Sequence, residues 1–248
     1  MSSNFTLPTE QVELPSKGVL YPKDSPLAEG KIEMKYMTAK EEDILTNQNY
    51  IEKGIVVDKL LESLIVTKVD YNDLLIGDKD ALLIACRILG YGKDYDFTFA
   101  GENIKVDLTT LKNKELDAKL VMDGKNEFTF KLPHTDNTIT FKLLTQRDEK
   151  EIQREIRGLK KISPAITQDL SVRMKHMITS INGNAERSVV RDFVDNGFLA
   201  KDARAFREYY GNIVPGINTT ISHEFADGVE EDLAIPINAN FLWPDFTV

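Results

Sequence analysis

A strand that ends at a threonine and turns directly into a capped helix occurs twice in this chain, about a hundred residues apart, and the repetition limits the folds open to it. In the first copy Ile32-Glu33-Met34-Lys35-Tyr36-Met37 alternates apolar with polar residues at the period of a strand, and the alternation stops at Thr38. Glu41, three residues on, completes a capping box, in which the hydroxyl accepts from the N3 amide and the carboxylate reaches back to the amide of the cap. The second copy, Thr140-Phe141-Lys142-Leu143-Leu144-Thr145-Gln146-Arg147-Asp148-Glu149, again runs strand, threonine, basic residue and two acids. Aligned on the threonines, Lys35 matches Lys142, Met37 matches Leu144, Lys40 matches Arg147, Glu41 matches Asp148, and Glu42 matches Glu149. Thr145 and Asp148 are therefore expected to cap a second helix as Thr38 and Glu41 cap the first. Either a strand-to-helix module is duplicated or two ordinary caps coincide; a duplicated module is a building unit, not a catalytic loop used once.

Upstream of the first copy, prolines at 8, 15, 22 and 26 and a glycine at 18 forbid a helix. Each proline also pushes its predecessor toward extended backbone, so residues 1–30 read as an extended arm anchored by Val12, Leu14, Val19, Leu20 and Tyr21. Such an arm either clamps its own domain or docks on a neighbour, and the residues it offers for docking are Leu14, Pro15, Gly18, Leu20, Tyr21 and Pro22. At the other end, Phe241-Leu242-Trp243-Pro244-Asp245-Phe246 is too aromatic to be left in water. Phe241, Trp243, Pro244 and Phe246 are either tucked into the core or held by another subunit.

Residues 31–144 read as a mixed α/β part. Ile55, Val56, Leu60 and Leu64 fall on helical spacing, and Asp78 reads as the N-cap of the strongest helix, from Lys79 to about Leu89, which Gly90 and Gly92 terminate. Hairpins are expected over 95–108 and 127–143. Residues 145–248 read as a helical cluster with a C-terminal hairpin and the aromatic tail. Its first helix is laced with charge and carries a narrow apolar stripe of Ile152, Ile156 and Leu159, which covers either a partner helix or its own domain. A second helix is expected from Pro164 to about Ile181, further helices over 185–195 and 200–210, and closing strands over 219–225 and 232–237. The expected fold class is α+β: small antiparallel sheets and hairpins with a helical cluster, preceded by the Pro-rich extended arm.

Chemistry leaves little trace in the residues. His134, His176 and His223 fall in a turn, a helix and a strand of separate modules, without the spacing that sets two imidazoles on one metal. There is no nucleophile elbow and no phosphate-cradling glycine loop, and the adjacent acids Glu41/Glu42 and Glu230/Glu231 point apart in a helix or a strand alike. Cys86 is the single cysteine, which excludes an internal disulfide and reads as a small buried hydrophobe. With 40 acids against 31 bases, a formal charge of -9 argues against a nucleic-acid or anionic-membrane partner, though local basic patches remain open. No run approaches the roughly 18 apolar residues of a membrane span, and the first residues carry no export signal. No catalytic residue, metal, cofactor or small-molecule substrate is expected.

Four strings identify a resemblance: Leu14-Pro15-Ser16-Lys17-Gly18-Val19-Leu20-Tyr21-Pro22, Tyr36-Met37-Thr38-Ala39-Lys40-Glu41-Glu42-Asp43-Ile44-Leu45-Thr46-Asn47, Asp73-Leu74-Leu75-Ile76-Gly77-Asp78, and Phe241-Leu242-Trp243-Pro244. Together and in this order they resemble the baseplate hub proteins of T-even-type contractile-tailed bacteriophages. The resemblance implies a role in building the tail baseplate hub, as a hub component or as an assembly factor absent from the mature virion, and implies no enzymatic reaction. It implies other phage baseplate or tail proteins as partners, and the host cytoplasm and then the virion tail as location. Some relatives carry paired cysteines, suggestive of a zinc ribbon, in hairpins that match 95–106 and 221–235. This chain has none there, so hydrophobic packing is expected to hold those hairpins.

Overall fold

The structure, a computed structural model, describes residues 7–114, 116–121, 124–162, 168–225, 228–237 and 239–242. The chain begins with β1 (Thr9–Glu13), which pairs antiparallel with β2 (Lys31–Lys35). Three helices follow, α1 (Ala39–Leu45), α2 (Gln48–Glu52) and α3 (Val56–Leu64). Directly after α3, Ile65 bridges antiparallel to Met34 and the Val66 N–H donates to the Glu33 carbonyl at 2.8 Å, so β2 is held on both edges. The central helix α4 (Ile76–Tyr91) leads into a hairpin of β3 (Asp94–Phe99) and β4 (Glu102–Asp107), and then into the two-residue β5 (Asn113–Lys114).

The second half repeats the opening. The hairpin of β6 (Phe128–Lys131) and β7 (Thr138–Phe141) runs into α5 (Gln146–Ile162), then α6 (Asp169–Met177), whose chain returns as β8 (Ile178–Ile181) on the free edge of β7. Paired strands, threonine, helix, nine-residue helix and a return onto the paired strand thus occur twice, with α3 and α6 of equal length; the first copy adds α2 and returns by a single bridge. Ile65 and Ile178 leave those two helices in nearly the same extended backbone, φ −70°, ψ 123° and φ −77°, ψ 125°. The short α7 (Arg187–Asp192) and α8 (Ala200–Ile213) follow, then β9 (Gly216–Ile217) on β5, the hairpin of β10 (Thr220–Glu224) and β11 (Glu230–Ala234), and the single turn α9 (Ala239–Leu242). The fold is α+β.

One apolar core runs from Leu14 in the arm to Leu242 and draws on both repeats. Over the three-stranded sheet β6-β7-β8, α8 lays an aromatic face: Phe206 meets Phe141 edge-on at 5.0 Å and Tyr209 stacks on Phe130 at 4.6 Å. The Ile152, Ile156 and Leu159 stripe of α5 packs with Leu144 and Val172, so it covers its own domain. The hairpins at 94–107 and 220–234 are held by apolar packing, with Tyr95, Phe97, Ile104, Val106 and Leu233 buried and Phe99 against Phe225 at 6.1 Å. Cys86 is buried, and that burial pushes its thiol up to about 12.

Two expectations fail locally. The second helix of the second half ends at Met177, and Ile178–Ile181 is a strand, because the open edge of β7 outcompetes a helical spacing that the two isoleucines of Ile178-Thr179-Ser180-Ile181 leave ambiguous. The start expected at Pro164 lies outside the described residues. Gly92 ends α4 at φ +88°, ψ 171°, an extended positive-φ conformation open to glycine and not the left-handed helical one expected, and Gly90 is an ordinary residue of the last turn, where the Met37 methyl occupies the place of a side chain.

Glycine at 77 is required by a close approach: a Cβ there would lie 1.7 Å from the Pro215 carbonyl oxygen, between α8 and β9. A Cβ at Gly158, midway along α5, would meet nothing within 4 Å. Gly77→Ala is therefore expected to cost about 3 kcal/mol or more, whereas Gly158→Ala stabilises by about 0.5–1 kcal/mol. Urea denaturation midpoints of the two variants, moving in opposite directions from the parent, check both.

Candidate functional site

Residues of the arm meet the start of α4 around one carboxylate. Asp78 is fully buried; its Oδ1 accepts from the Ser16 amide at 2.8 Å, and its Oδ2 accepts from the Ser16 hydroxyl and the Tyr21 hydroxyl at 2.6 Å each. Tyr21 Oη in turn accepts from the Leu75 amide at 2.9 Å, which ties the arm to the residue that caps α4. Burial pushes the Asp78 carboxyl up, against the hydrogen bonds from Ser16 and Tyr21 that pull it down. The Tyr21 phenol is pushed up by burial and then by the Asp78 charge.

This corrects the reading of Asp78 as an N-cap. The helix starts at Ile76, three residues before the expected Lys79, and its first amide donates to the Leu144 carbonyl at 3.0 Å. A tertiary partner satisfies the amide that a cap would have taken, and Asp78 is free to hold the arm. Of the two settings left open for the arm, its own domain or a neighbour, the described residues occupy the first. Leu14, Pro15, Gly18, Leu20 and Tyr21 are buried in the chain's own fold, and only Pro22 of that set is exposed. Phe241 is also buried, edge-on to Tyr95 at 4.9 Å. Trp243, Pro244 and Phe246 lie outside the described residues. A cleft of about 510 Å³ opens where the arm passes the second repeat, and it brings Leu20, Tyr21 and Pro22 together with Asp24, Asp73 and Thr145.

The two strand-to-helix junctions share more than a cap. At the first, the Thr38 amide and hydroxyl donate to Glu41 Oε2 at 3.0 and 2.6 Å, and Lys35 Nζ reaches Glu41 Oε1 at 2.9 Å. At the second, the Thr145 amide and hydroxyl donate to Asp148 Oδ2 at 3.0 and 2.9 Å, and Lys142 Nζ reaches Asp148 Oδ1 at 2.7 Å. Both acids are buried, so each repeat closes on a lysine–carboxylate pair that the threonine's amide and hydroxyl also bond. The matched lysines were visible in the alignment, six residues ahead of the matched acids in both copies. Their pairing was the signal left unused.

The third partner differs. In the first repeat the Ser63 hydroxyl, two residues before Ile65, donates to Glu41 Oε1 at 2.7 Å. Two residues before Ile178 stands His176, whose Nε2 meets Glu155 at 3.0 Å, and Arg191 takes the other oxygen of that carboxylate. Burial raises the Glu41 pKa, but donors from Thr38, Lys35 and Ser63 outweigh it and hold the carboxyl at about 2.

Asp148, Glu151 and His176 bring one ligand atom each within 4.8 Å of one another, beside a cleft of about 250 Å³ that Lys142, Lys175 and Arg187 also line. A cation bound there would have to displace Lys142 and Thr145 from Asp148, so the three residues belong to an ion-pair network and not to a ready cage. The other histidines each face a carboxylate of their own: His134 Nδ1 lies 2.9 Å from Asp202, and His223 Nε2 lies 3.5 Å from Glu102.

Among the described residues no helix is long and apolar enough to cross a membrane. Comparison with family models, with curated proteins and with solved structures returned no match.

Two outcomes follow from the buried carboxylates. Asp78→Ala strands the Ser16 and Tyr21 hydroxyls in the core and is expected to cost about 3–5 kcal/mol, against about 1–2 kcal/mol for Tyr21→Phe; equilibrium unfolding in urea measures both. Glu41 titrates lower in the folded chain, at about 2, than its ordinary 4.5, so its contribution is full above pH 4.5 and is lost as pH falls toward 2. Glu41→Gln should therefore destabilise by about 2 kcal/mol or more near neutral pH, and its stability should converge on that of the parent across that acid window. A gap between the two that persists unchanged to pH 2 would contradict the assignment.

Proposed function

We propose that this chain is a non-enzymatic bacteriophage tail protein that acts in baseplate hub assembly, as a structural hub subunit working through protein–protein contacts. The observation that carries the reading is where the resembling strings sit in the fold. Ser16 and Tyr21 of the first string bond Asp78 of the third, and the second string supplies Thr38 and Glu41 to the junction beyond β2, the strand on which the arm pairs. Strings that depend on one another in space in this way are parts of one folded unit, which supports reading the resemblance over the whole chain. The chemistry of the acids supports the same reading: Glu41, Asp78, Asp148 and Asp202 each accept from the chain's own donors and serve as struts.

The partners on this reading are other baseplate or tail proteins, met in the host cytoplasm during assembly and kept in the tail afterwards. The cleft beside Pro22 and Asp24 is the face the arm leaves open for such contacts. Quantitative mass spectrometry of purified tails from the encoding phage tests the proposal. The chain is expected at a fixed whole-number ratio to the other baseplate proteins. Its recovery on hub precursors but not in finished tails would replace the structural role with that of an assembly chaperone, and its absence from both would end the hub reading.

A further inference from the structure

Charge in this chain is sorted by position. Between Glu208 and Val248 there are seven acidic residues and no lysine or arginine. On the β10–β11 hairpin, Glu224 stands directly opposite Glu230, and Asp232 follows on the same face; all three are exposed. Like charges directly across a strand pair are a cost that an isolated chain has no reason to keep. Beside them, Phe99 is 44% exposed against Phe225.

The opposite sign is collected on α5. Arg147, Lys150, Arg154, Arg157 and Lys161 recur at alternating spacings of three and four, which sets them in one stripe on the face opposite Ile152, Ile156 and Leu159. The first two are neutralised from within, Arg147 by Asp70 and Asp73 at 2.9 and 2.8 Å and Lys150 by Glu62 at 3.8 Å. Arg154, Arg157 and Lys161 are exposed and form no ion pair among the described residues. The helix ends on Ile162, 82% exposed.

We propose that the basic face of α5 docks the acidic β10–β11 hairpin of a second copy of this chain. Three cations spread over about 10 Å of helix face three acids spread over about 7 Å of strand pair, and each patch carries an exposed apolar residue at its border. Both halves of the contact are present in one molecule, so a second copy can take either of them: exchanged reciprocally they close a two-fold dimer, and passed on in one direction they build a ring or an open array. A nucleic acid would satisfy the cations alone; it would be repelled by the formal charge of -9 and would leave the facing glutamates unexplained. The proposal stands apart from the hub reading, because it is tested on the pure chain.

Sedimentation velocity of the full chain, as a function of concentration and salt, decides it. Self-association is expected at low ionic strength, weakened at least tenfold when the screening length falls from about 30 Å to about 8 Å. The triple variants R154E/R157E/K161E and E224R/E230R/D232R should each be monomeric, with circular dichroism showing the fold retained, and an equimolar mixture should associate again, because the reversed patches complement each other in sign as the original ones do. Should a triple variant fail to fold, the single variants Arg157→Glu and Glu230→Arg, each weakening association severalfold, take its place. A parent chain that stays monomeric at low salt, association indifferent to these substitutions, or a mixture that does not pair would each overturn the proposal. So would tight binding of a single-stranded DNA oligonucleotide that the α5 variant loses while the parent chain remains monomeric.

Discussion

A carboxylate taken out of water without a cation beside it is expensive, and the N-terminal third of this fold is arranged around making one tolerable. Asp78 receives the Ser16 amide, the Ser16 hydroxyl and the Tyr21 hydroxyl, donors that stand 57 and 62 residues away in the chain. Three directed bonds to one buried group leave the arm a single position. From that position Leu14 and Leu20 enter the core, β1 falls into register on β2, and Tyr21 passes a hydrogen bond to the residue that opens α4. The arm is extended only over β1 and then runs through turns and a 3-10 turn at Pro26–Glu29, against the fully extended arm expected; its prolines keep it out of an α-helix, in which two side chains and an amide could not reach one acid.

The two repeats apply the same solution to a second problem, how to turn a strand into a helix inside a core. In each, a threonine stops the strand, a buried acid of the first turn takes the threonine's amide and hydroxyl, and a lysine on the strand neutralises it. Around this constant centre the copies have diverged. The first closes with a serine hydroxyl and reduces its returning strand to one bridge; the second puts a histidine at the matching place and extends the return into a full third strand. A lone hydroxyl completes a carboxylate's shell without adding charge, whereas the imidazole of His176 draws in Glu155 and Arg191 and opens the polar cleft beside α5.

What could be read from the residues was what is decided within a few of them. Both threonine junctions, the hairpin at 94–107, the α5 stripe and the α+β class follow from periodicity and caps, and they stand in the structure. The assignment of Asp78 to a cap was sound local chemistry that lost to donors beyond its horizon. Ile178–Ile181 was taken for helix because a β-branched stretch next to a real helix has no period of its own, and the edge of β7 decides it. The arm residues were correctly picked out as anchors, but an apolar anchor looks the same whether its socket is in cis or in another subunit. Only the tertiary packing puts Leu14, Leu20 and Tyr21 inside. The repeat beyond the threonines was hidden for a related reason: Ile65 and Ile178 share backbone and role, while the helices before them share little sequence.

The hairpin β3–β4 bears on how this chain is made. Its Tyr95 hydroxyl is bonded to the Pro236 carbonyl, 141 residues later, and its ring is covered by Phe241. The arm, by contrast, needs nothing past α4 to reach Asp78. During synthesis the arm can therefore close on Asp78 before the second repeat exists, whereas the start of α4 waits for the Leu144 carbonyl and the aromatic face of that hairpin stays bare through the translation of the whole second repeat. Nascent chains crowded on one message would meet through that face first, so it is the surface on which folding helpers have most reason to wait.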